Sequence, residues 1–405
     1  MPLNHSAEFW TSARGAALLQ QAGQILEHYK DDPAAAAINL RRTAGNSETP
    51  ATLSEALEIS YARIKAKHLG LATDGWLLSK QSLEQSTHPA IAAAHAARFT
   101  GCRRVLEICC GAGFDTAALV KRVGNVVGIE ADAKLASFAR HNLKKAGAGN
   151  ATIEAGRAED FVPGLDTSQF DGLWADPSRR DTHGRRIMNP THYKPSLQFL
   201  MNLAVRGVRG IKVSPALGLA SLPSGWSREW IGFGRECREQ VLWHGTDMKS
   251  HCVNLIDCGA SWSTEAATTL KVSPEIITPA EAIYLIEPHA ALIASGMVHE
   301  FFRKAGIALL DPDLLVGAVA NRPPRSAFYS VFRQVSHFPY SFRQLRMELG
   351  KLTWGKRTEI KKRLVDDDPD LVRIKLKLPD SDTFGVVYLV SVYRKKIAFL
   401  AQRET

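Results

Sequence analysis

The chain has 405 residues, which is more than one ordinary domain holds, so we expect two to four domains. A hydrophobic fraction of 45% and a charged fraction of 23% are typical of a soluble globular protein. The sequence has no apolar stretch of membrane-spanning length and no secretory leader, which argues against a membrane partner and predicts a cytoplasmic location. The net charge of +10 favours a polyanionic partner.

The six cysteines lack the spacing of a metal site. Cys109 and Cys110 are adjacent, and Cys252 and Cys258 are too isolated to form a zinc quartet. We therefore expect no bound metal and reduced, buried thiols. The sequence leaves the oligomeric state open.

Residues 1–87 are predicted to form an N-terminal helical domain, because helical periodicity and alanine-rich segments run through them. Residues 51–71 are expected to form an amphipathic helix. The apolar face of this helix is predicted to carry Leu53, Leu57, Tyr61 and Ile64.

Residues 88–268 alternate short apolar strands with helical stretches. This pattern predicts an α/β fold with a Rossmann-like, doubly wound sheet. The strands are predicted at residues 104–108, 126–130, 151–154, 170–175, 210–213 and 252–257.

Two smaller α+β domains are predicted to follow, over residues 269–325 and 326–405. The elements expected in the first are a strand beginning at 283, a helix over 290–305 and a short helix over 311–320. The elements expected in the second are strands at 328–335, 370–378 and 386–392 and a basic helical stretch over 341–364.

A glycine turn between a predicted strand and a predicted helix is the most informative motif. It reads Glu107-Ile-Cys-Cys-Gly111-Ala-Gly113, and Glu130 closes the next strand. Glycine lets the backbone approach a nucleotide closely, because it has no side chain to clash. An acid at the end of the second strand lies where ribose hydroxyls would sit.

Two classes of nucleotide use this layout. A dinucleotide fingerprint requires a third glycine at the position that Thr116 occupies here. The carboxylate of Glu107 would repel a pyrophosphate, whereas it would not repel a cationic sulfonium with an amino-acid tail. A dehydrogenase is therefore a distant alternative.

At these residues the chain resembles class I S-adenosylmethionine-dependent methyltransferases. The resemblance implies S-adenosylmethionine as cofactor, with the glycine turn at the methionine end, Glu130 at the ribose and Asp160 at the adenine. The cofactor-binding residues that it implies are Glu107, Cys109, Gly111, Gly113, Asp115, Glu130, Ala131 and Asp160. A solvated loop charge is the alternative for Asp160.

The strand predicted at 170–175 ends in Asp176-Pro177-Ser178-Arg179. Open α/β sheets bind ligands at the carboxyl ends of their strands, so this segment is expected to face the methyl group. It resembles the D-P-P-aromatic motif of methyltransferases that act on nucleic-acid bases, with Ser178 for the second proline and no aromatic. The candidate catalytic residues are therefore Asp176, Pro177, Ser178 and Arg179. A nucleophilic cysteine is required only for a pyrimidine carbon, and none has a persuasive setting.

Two basic clusters are predicted to bind substrate. The first follows the acceptor motif and comprises Arg180, Arg185 and Arg186, with Lys212 ending the next strand at the same mouth. The second, in the last domain, comprises Trp354, Lys356, Arg357, Lys361, Lys362 and Arg363. Basic side chains beside an aromatic suit a phosphate backbone with a base to stack on. A solvated charged helix is the alternative for the second cluster.

From about residue 80 onward the chain resembles a bacterial family of class I methyltransferases with a C-terminal THUMP-like domain. Besides the motifs above, the resemblance rests on Glu84–Thr87, Ile211–Pro215, Val241–Gly245, Ile286–His289 and Ile360–Arg363. It implies a ferredoxin-like module within residues 269–325 and an RNA-binding domain over residues 326–405.

The leading hypothesis is an S-adenosylmethionine-dependent methyltransferase that acts on a tRNA or rRNA base. A second hypothesis is a small-molecule or protein methyltransferase, which predicts no salt-dependent affinity for RNA. A third is a non-catalytic RNA-binding factor that retains the fold.

Overall fold

The computed structural model of the protein describes residues 5–30, 32–180, 185, 187, 189–218, 223–265 and 275–404. The chain divides into two compact units. The first comprises Met1–Arg228 and Gln240–Met248, and the second comprises Glu229–Glu239 and Lys249–Thr405.

The first unit alternates helices and strands after a helical N-terminus. Its helices are α1 (Ala7–Thr11), α2 (Ala13–His28), α3 (Pro33–Ala44), α4 (Pro50–His68), α5 (Lys80–Glu84), α6 (Pro89–Ala97), α7 (Phe114–Leu119), α8 (Ala133–Lys145), α9 (Ala158–Phe161) and α10 (Leu197–Met201). Its strands are β1 (Arg104–Ile108), β2 (Asn125–Glu130), β3 (Ala151–Ala155), β4 (Gly172–Ala175) and β5 (Val208–Val213). Strands β6 (Trp226–Phe233) and β7 (Glu236–His244) have residues in each unit.

The strand order of the first unit is β3-β2-β1-β4-β5-β7. The first five strands are parallel, and β7 runs antiparallel to β5. Ile108, at the end of β1, lies opposite Ile129 of β2 and Ala175 of β4, so these three strands end at one level. The strand order reverses at β1 and β4, which is where open α/β sheets bind ligands. The predicted Rossmann-like α/β class is confirmed.

Helices cover the sheet because its central strands are apolar on both faces. Leu106, Leu173 and Trp174 are buried. The N-terminal helices pack on α8, where Trp10 and Ile59 share a core with Phe138.

The helix predicted over 51–71 corresponds to α4, but its predicted apolar face is only partly right. Leu53 is buried, whereas Tyr61 is 44% exposed. The buried stripe of α4 is carried by small residues such as Ala56 and Ala62, which allow close packing.

The second unit contains a seven-stranded sheet. The strands of this sheet are β10 (Tyr284–Pro288), β11 (Ala308–Leu309), β12 (Gly317–Val319), β13 (Tyr329–Pro339), β14 (Glu359–Arg363), β15 (Val386–Val392) and β16 (Lys395–Arg403), and the unit also contains β8 (His251–Leu255) and β9 (Ala260–Thr264). Its helices are α11 (Ala290–Ala294), α12 (Val298–Ala305), α13 (Phe342–Leu352) and α14 (Pro369–Leu376). The sheet has the order β11-β12-β10-β13-β16-β15-β14, and β8 pairs antiparallel with β9.

Two cores flank this sheet. Phe332, Tyr388 and Phe399 belong to one core, which includes residues of the loop before β12. Leu345 of α13 and Val372 of α14 belong to the other. Within the sheet, β14 is parallel to β15. Strand β13 pairs antiparallel with β10 and with β16, and β16 pairs antiparallel with β15.

Several predicted elements of the second unit were wrong. The strand predicted at 370–378 is helix α14, because the Asp368 side chain accepts hydrogen bonds from the backbone N–H groups of Asp370 and Leu371. The helical stretch over 341–364 ends at Thr353, which has a φ of 53°, and strand β14 follows.

The two helices predicted earlier in this unit also differ. The helix over 290–305 is interrupted at Gly296, which has a φ of 71° and separates α11 from α12. The short helix over 311–320 is a turn followed by strand β12. The limits of the four predicted domains stay predictions, and the limit at 268/269 lies outside the described residues.

Membrane-spanning helices and metal-binding clusters were expected to be absent, and the following holds for the described part of the chain. None of the helices described there is long and apolar enough to cross a membrane. Among the same residues, no group of three or more His, Cys, Asp or Glu side chains has the arrangement of a metal site.

Candidate active site

The predicted glycine turn connects β1 to α7. Its backbone is left-handed at Cys109, Gly111 and Gly113, with φ values of 64°, 57° and 90°. A Cβ atom at Gly111 would meet nothing within 4 Å, so conformation rather than space favours glycine there. Cys109 adopts the same region with a side chain, which costs about 1–2 kcal/mol for an L-residue.

Glu107 lies at the end of β1 and is 1% exposed. Its Oε2 atom has no hydrogen-bond partner among the described residues. Burial raises the pKa of this carboxyl well above its ordinary value, and the charge of Asp115 adds to the effect. A buried carboxyl oxygen without a partner among the described residues fits the α-ammonium group of the amino-acid tail of S-adenosylmethionine.

Glu130 ends β2 and is tied to the glycine turn. Its Oε2 accepts a hydrogen bond from Gly111 N at 2.9 Å, and its Oε1 accepts one from Asp132 N at 3.0 Å. Burial raises the pKa of Glu130, whereas the backbone hydrogen bonds act in the opposite direction. The next residue, Ala131, is exposed. The geometry therefore brings Glu107, Glu130 and the turn together, as the sequence predicts.

Asp160 occupies a different setting. It lies on α9 and its side chain is 76% exposed, with Arg157 Nε 3.8 Å from Oδ2. The side chain of Asp160 is thus exposed and paired only loosely, and its contact with the adenine stays a prediction.

Asp176 follows β4 directly beside the glycine turn. Its backbone N–H donates to Ile108 O at 3.1 Å, which fixes the acceptor segment against the end of β1. Pro177 is buried and Ser178 is exposed. Ser178 exchanges backbone hydrogen bonds with Lys194, and Arg179 O accepts one from Ile187 N.

A buried polar chain leads from Asp176 back to α7. Lys212 Nζ lies 2.8 Å from Asp176 Oδ2 and donates to Thr87 Oγ1 at 3.2 Å. Thr87 Oγ1 in turn donates to Asp115 Oδ2 at 2.6 Å. Asp115 Oδ1 lies 3.4 Å from His95 Nδ1. The sequence predicts Asp115, Asp176 and Lys212 as site residues, and the structure brings the three into one network.

Sequence reasoning missed Thr87 and His95 as members of this network. His95 is buried on α6, and its ring lies 4.3 Å from the ring of Trp174. The signal for Thr87 was its place in the Glu84–Thr87 motif just before α6. A buried histidine beside tryptophans otherwise looks like ordinary core.

The cysteines of the turn are poor nucleophiles. Burial raises the pKa of the Cys109 thiol well above its ordinary value, and burial has the same effect on Cys110. Cys109 Sγ donates a weak hydrogen bond to Lys194 O at 3.7 Å. Since the thiolate is the reactive form, neither residue has the setting of a catalytic cysteine.

The first predicted basic cluster is exposed where it is described. Arg180 and Arg185 are exposed, Arg179 is half-buried, and Arg186 lies outside the described residues. These arginines follow Asp176 in the chain, so they belong to the acceptor segment.

The second predicted basic cluster lies in the second unit and is not uniform. Lys356 and Arg357 are exposed; Lys356 pairs with an aspartate at 2.9 Å, and Arg357 lies over a phenylalanine ring. Lys362 is exposed, whereas Lys361 and Arg363 are turned to the fold and pair with Glu287.

The prediction that Trp354 stacks on a base was wrong. Trp354 is 2% exposed and packs in the core with Leu345 and Val372. The side chain of Trp354 turns inward because the backbone of Thr353, which ends α13, is left-handed, and the indole lies against Gly385.

Comparison with known proteins assigns the class. A family model described as a methyltransferase domain matches residues 105–179, which carry the glycine turn, Glu130 and the acceptor segment. An uncharacterised S-adenosylmethionine-dependent methyltransferase of Mycobacterium tuberculosis is 28% identical over 323 residues, covering 77% of this chain and 84% of that protein.

Two further similarities concern the fold and a short segment. The crystal structure of a putative methyltransferase from Porphyromonas gingivalis superposes with a TM-score of 0.74 at 16% identity, covering 96% of this chain and 99% of that one, which shows a shared fold. The 23S rRNA (uracil(1939)-C(5))-methyltransferase RlmD of Xylella fastidiosa is 40% identical over 84 residues, covering 20% of this chain and 17% of that protein.

The fold is that of Rossmann-like methyltransferases. The chain is therefore an S-adenosylmethionine-dependent methyltransferase, and S-adenosylmethionine is its cofactor. The predicted class, enzyme type and cofactor are confirmed.

Proposed function

We propose that this enzyme transfers the methyl group of S-adenosylmethionine to RNA, with a tRNA or rRNA base as the acceptor. The observation that carries the proposal is the pair of exposed arginines, Arg180 and Arg185, in the segment that follows Asp176. Exposed basic side chains that closely follow Asp176 in the chain suit a phosphate backbone. The net charge of +10 and the short similarity to an rRNA methyltransferase support the same substrate class.

In this proposal the cofactor is held at the carboxyl ends of β1 and β2. Glu107 and the turn from Cys109 to Gly113, with Asp115, hold the methionine end. Glu130 and Ala131 hold the ribose, and Asp160 holds the adenine. The cofactor supplies an activated methyl group, so the protein's task is to place the acceptor in line with it and to exclude water.

The acceptor atom is proposed to be a nitrogen or an oxygen. Methylation of a pyrimidine carbon requires a thiolate that attacks the ring, and burial raises the pKa of Cys109 and Cys110. Asp176 Oδ2 pairs with Lys212, which leaves Oδ1 to accept a hydrogen bond from the acceptor. Pro177, Ser178 and Arg179 shape the acceptor side of the site.

The second unit is proposed to be an RNA-binding part that contains the ferredoxin-like module and the THUMP-like domain. Lys356, Arg357 and Lys362 are its exposed predicted contacts. Lys361 and Arg363 contribute to the same surface through their pairing with Glu287, which fixes the edge strand β14.

The first experiment is methyl transfer from labelled S-adenosylmethionine to total RNA from a strain that lacks the gene, with protein and small-molecule extracts in parallel. We expect label in RNA with the wild type and none with Asp176→Asn at saturating cofactor. Label confined to another extract would replace RNA by a protein or small-molecule acceptor. Cofactor binding without label in any extract would favour a non-catalytic factor.

A matched pair of variants tests the arginines. Replacing Arg180 and Arg185 together by alanine should weaken RNA binding and lower the slope of log affinity against log salt by roughly 0.7–0.9 per lost phosphate contact. Arg103→Ala is the control, because this arginine is 94% exposed and directly precedes β1, at the end of the strand opposite to Glu107. Equal effects in the two variants would contradict the proposal.

A further inference from the structure

Lys212 is a charged residue in a position where charge is costly. It lies on β5, it is 5% exposed, and its Nζ atom is 2.8 Å from Asp176 Oδ2. Burying an ammonium is strongly unfavourable unless a partner compensates it. The carboxylate of Asp176, which is only 23% exposed, supplies that compensation. The two side chains therefore form one charge-balanced pair.

Thr87 connects this pair to the cofactor turn. Its hydroxyl accepts a hydrogen bond from Lys212 at 3.2 Å and donates one to Asp115 at 2.6 Å. It therefore acts as both acceptor and donor in this network. Asp115 is the second residue of α7, two positions after Gly113. A single buried hydroxyl thus joins the acceptor side of the site to its cofactor side.

We propose that Lys212 is a positioning residue that holds Asp176 in a charge-balanced pair, and that Thr87 links this pair to the cofactor turn through Asp115. The inference rests on the proposed function only where it treats Asp176 as the residue that faces the acceptor. The pair and its link to Asp115 bear on cofactor binding as well. Asp176 directly follows the strand beside the turn, so its charge acts where a cationic cofactor binds.

The charge of the cofactor gives the test. S-adenosylmethionine carries a sulfonium, whereas its product S-adenosylhomocysteine does not. Asp176→Asn removes the negative charge and keeps the positive charge of Lys212. This variant should therefore lose affinity for the cationic form selectively, by about tenfold relative to the neutral form.

A second substitution should reverse this loss. Adding Lys212→Met to Asp176→Asn removes the positive charge as well, so the ratio of the two affinities should return to within about twofold of wild type. Adding Lys212→Arg instead keeps the positive charge and should leave the ratio low. Lys144→Met is the control for loss of a lysine, because Lys144 is exposed on α8.

The affinities are measured by isothermal titration calorimetry on the full chain, after thermal unfolding has shown which variants are folded. An unchanged ratio in Asp176→Asn would overturn the proposal. A ratio in the Asp176→Asn/Lys212→Met variant equal to that in Asp176→Asn would also overturn it. Should this double variant fail to fold, two variants still test the proposal. Asp176→Asn/Lys212→Arg should keep the ratio low, and Lys212→Met alone should raise it.

Thr87 provides an independent arm. Thr87→Val keeps the shape and removes the hydroxyl, so it should weaken both cofactor forms by the same factor, and Thr87→Ser should restore them. No change with Thr87→Val would overturn the link to Asp115. None of these measurements involves RNA, so a failure here leaves the RNA proposal standing, and label missing from RNA leaves the binding results standing.

Discussion

Glu107 should destabilise the protein that it serves. Its side chain is 1% exposed, Oε2 has no partner among the described residues, and burial raises its pKa. Glu107→Gln keeps the shape and removes the charge. Burial penalises the ionised carboxyl and the glutamine amide cannot ionise, so the variant should be more stable than wild type at neutral pH by about 1–3 kcal/mol. For a protein unit of this size that corresponds to a rise in Tm of about 2–12 °C.

The pH dependence gives the sign of the effect. Below the unfolded-state pKa of about 4.3, both states of the wild type carry a neutral carboxyl, so wild type and variant should be equally stable. As the pH rises, the unfolded chain releases the proton while the native chain keeps it, and the wild type loses stability relative to the variant. The difference stops growing above the raised native pKa of Glu107.

The assay is thermal unfolding without cofactor between pH 4 and pH 8, with Asp74→Asn as the control for loss of an exposed carboxylate. Titration with S-adenosylmethionine completes it: the glutamine amide cannot ionise to pair with the ammonium of the cofactor, so cofactor affinity should fall by about tenfold to a hundredfold. A Glu107→Gln variant that is less stable than wild type at pH 7 would refute the reasoning. A constant difference across the pH range would refute it as well.

Three further substitutions test local features. Cys109→Gly should stay within about 1 kcal/mol of wild type in urea unfolding, because relief of the left-handed backbone offsets the lost thiol contacts; a larger loss would show that the thiol packing dominates. Gly385→Ala would place a Cβ atom 2.2 Å from the ring of Trp354, so urea unfolding should show a loss of about 1–3 kcal/mol that Trp354→Phe partly relieves. Lys361→Ala should lower Tm with little effect on RNA affinity measured by filter binding, whereas Lys362→Ala should do the reverse, since the first side chain pairs within the fold and the second is exposed. The opposite pattern would assign RNA contact to Lys361.

The sheet of the first unit could be read from the sequence because its strands are short apolar runs that end in functional residues. Strand β1 begins and ends where it is predicted, and Glu107 and Asp176 lie at neighbouring carboxyl ends because β1 pairs with β4. Strands β6 and β7, which have residues in this unit, were missed, as was β9 of the second unit. The half of β7 before Gln240 is charged, so its pattern is not that of a buried strand.

The errors in the second unit arise where a local signal and an apolar pattern disagree. Leu371, Val372 and Ile374 favour a strand, but Asp368 and Pro369 begin a helix, and the cap decides the outcome. Trp354 stands among basic residues, yet the backbone at Thr353 turns it into the core. Composition describes neighbours in sequence, and it does not show which way a side chain points.

The polar network of the site could not be predicted because its contacts are long-range. Thr87 and Asp115 are 28 residues apart, and Lys212 and Asp176 are 36 apart. Their meeting depends on how α6 packs beside the sheet and on the register between β4 and β5. One-dimensional spacing contains neither quantity.

The seven-stranded sheet is closed to growth at both margins. At one margin β14 reads Glu-Ile-Lys-Lys-Arg, and charged side chains on an outer strand oppose pairing with another chain. At the other margin β11 is two residues long and already carries a bridge to Ile276. Addition of a strand from a peptide or a second copy is therefore disfavoured at both margins. A partner of this unit is expected to contact its side chains rather than the open backbone of its sheet.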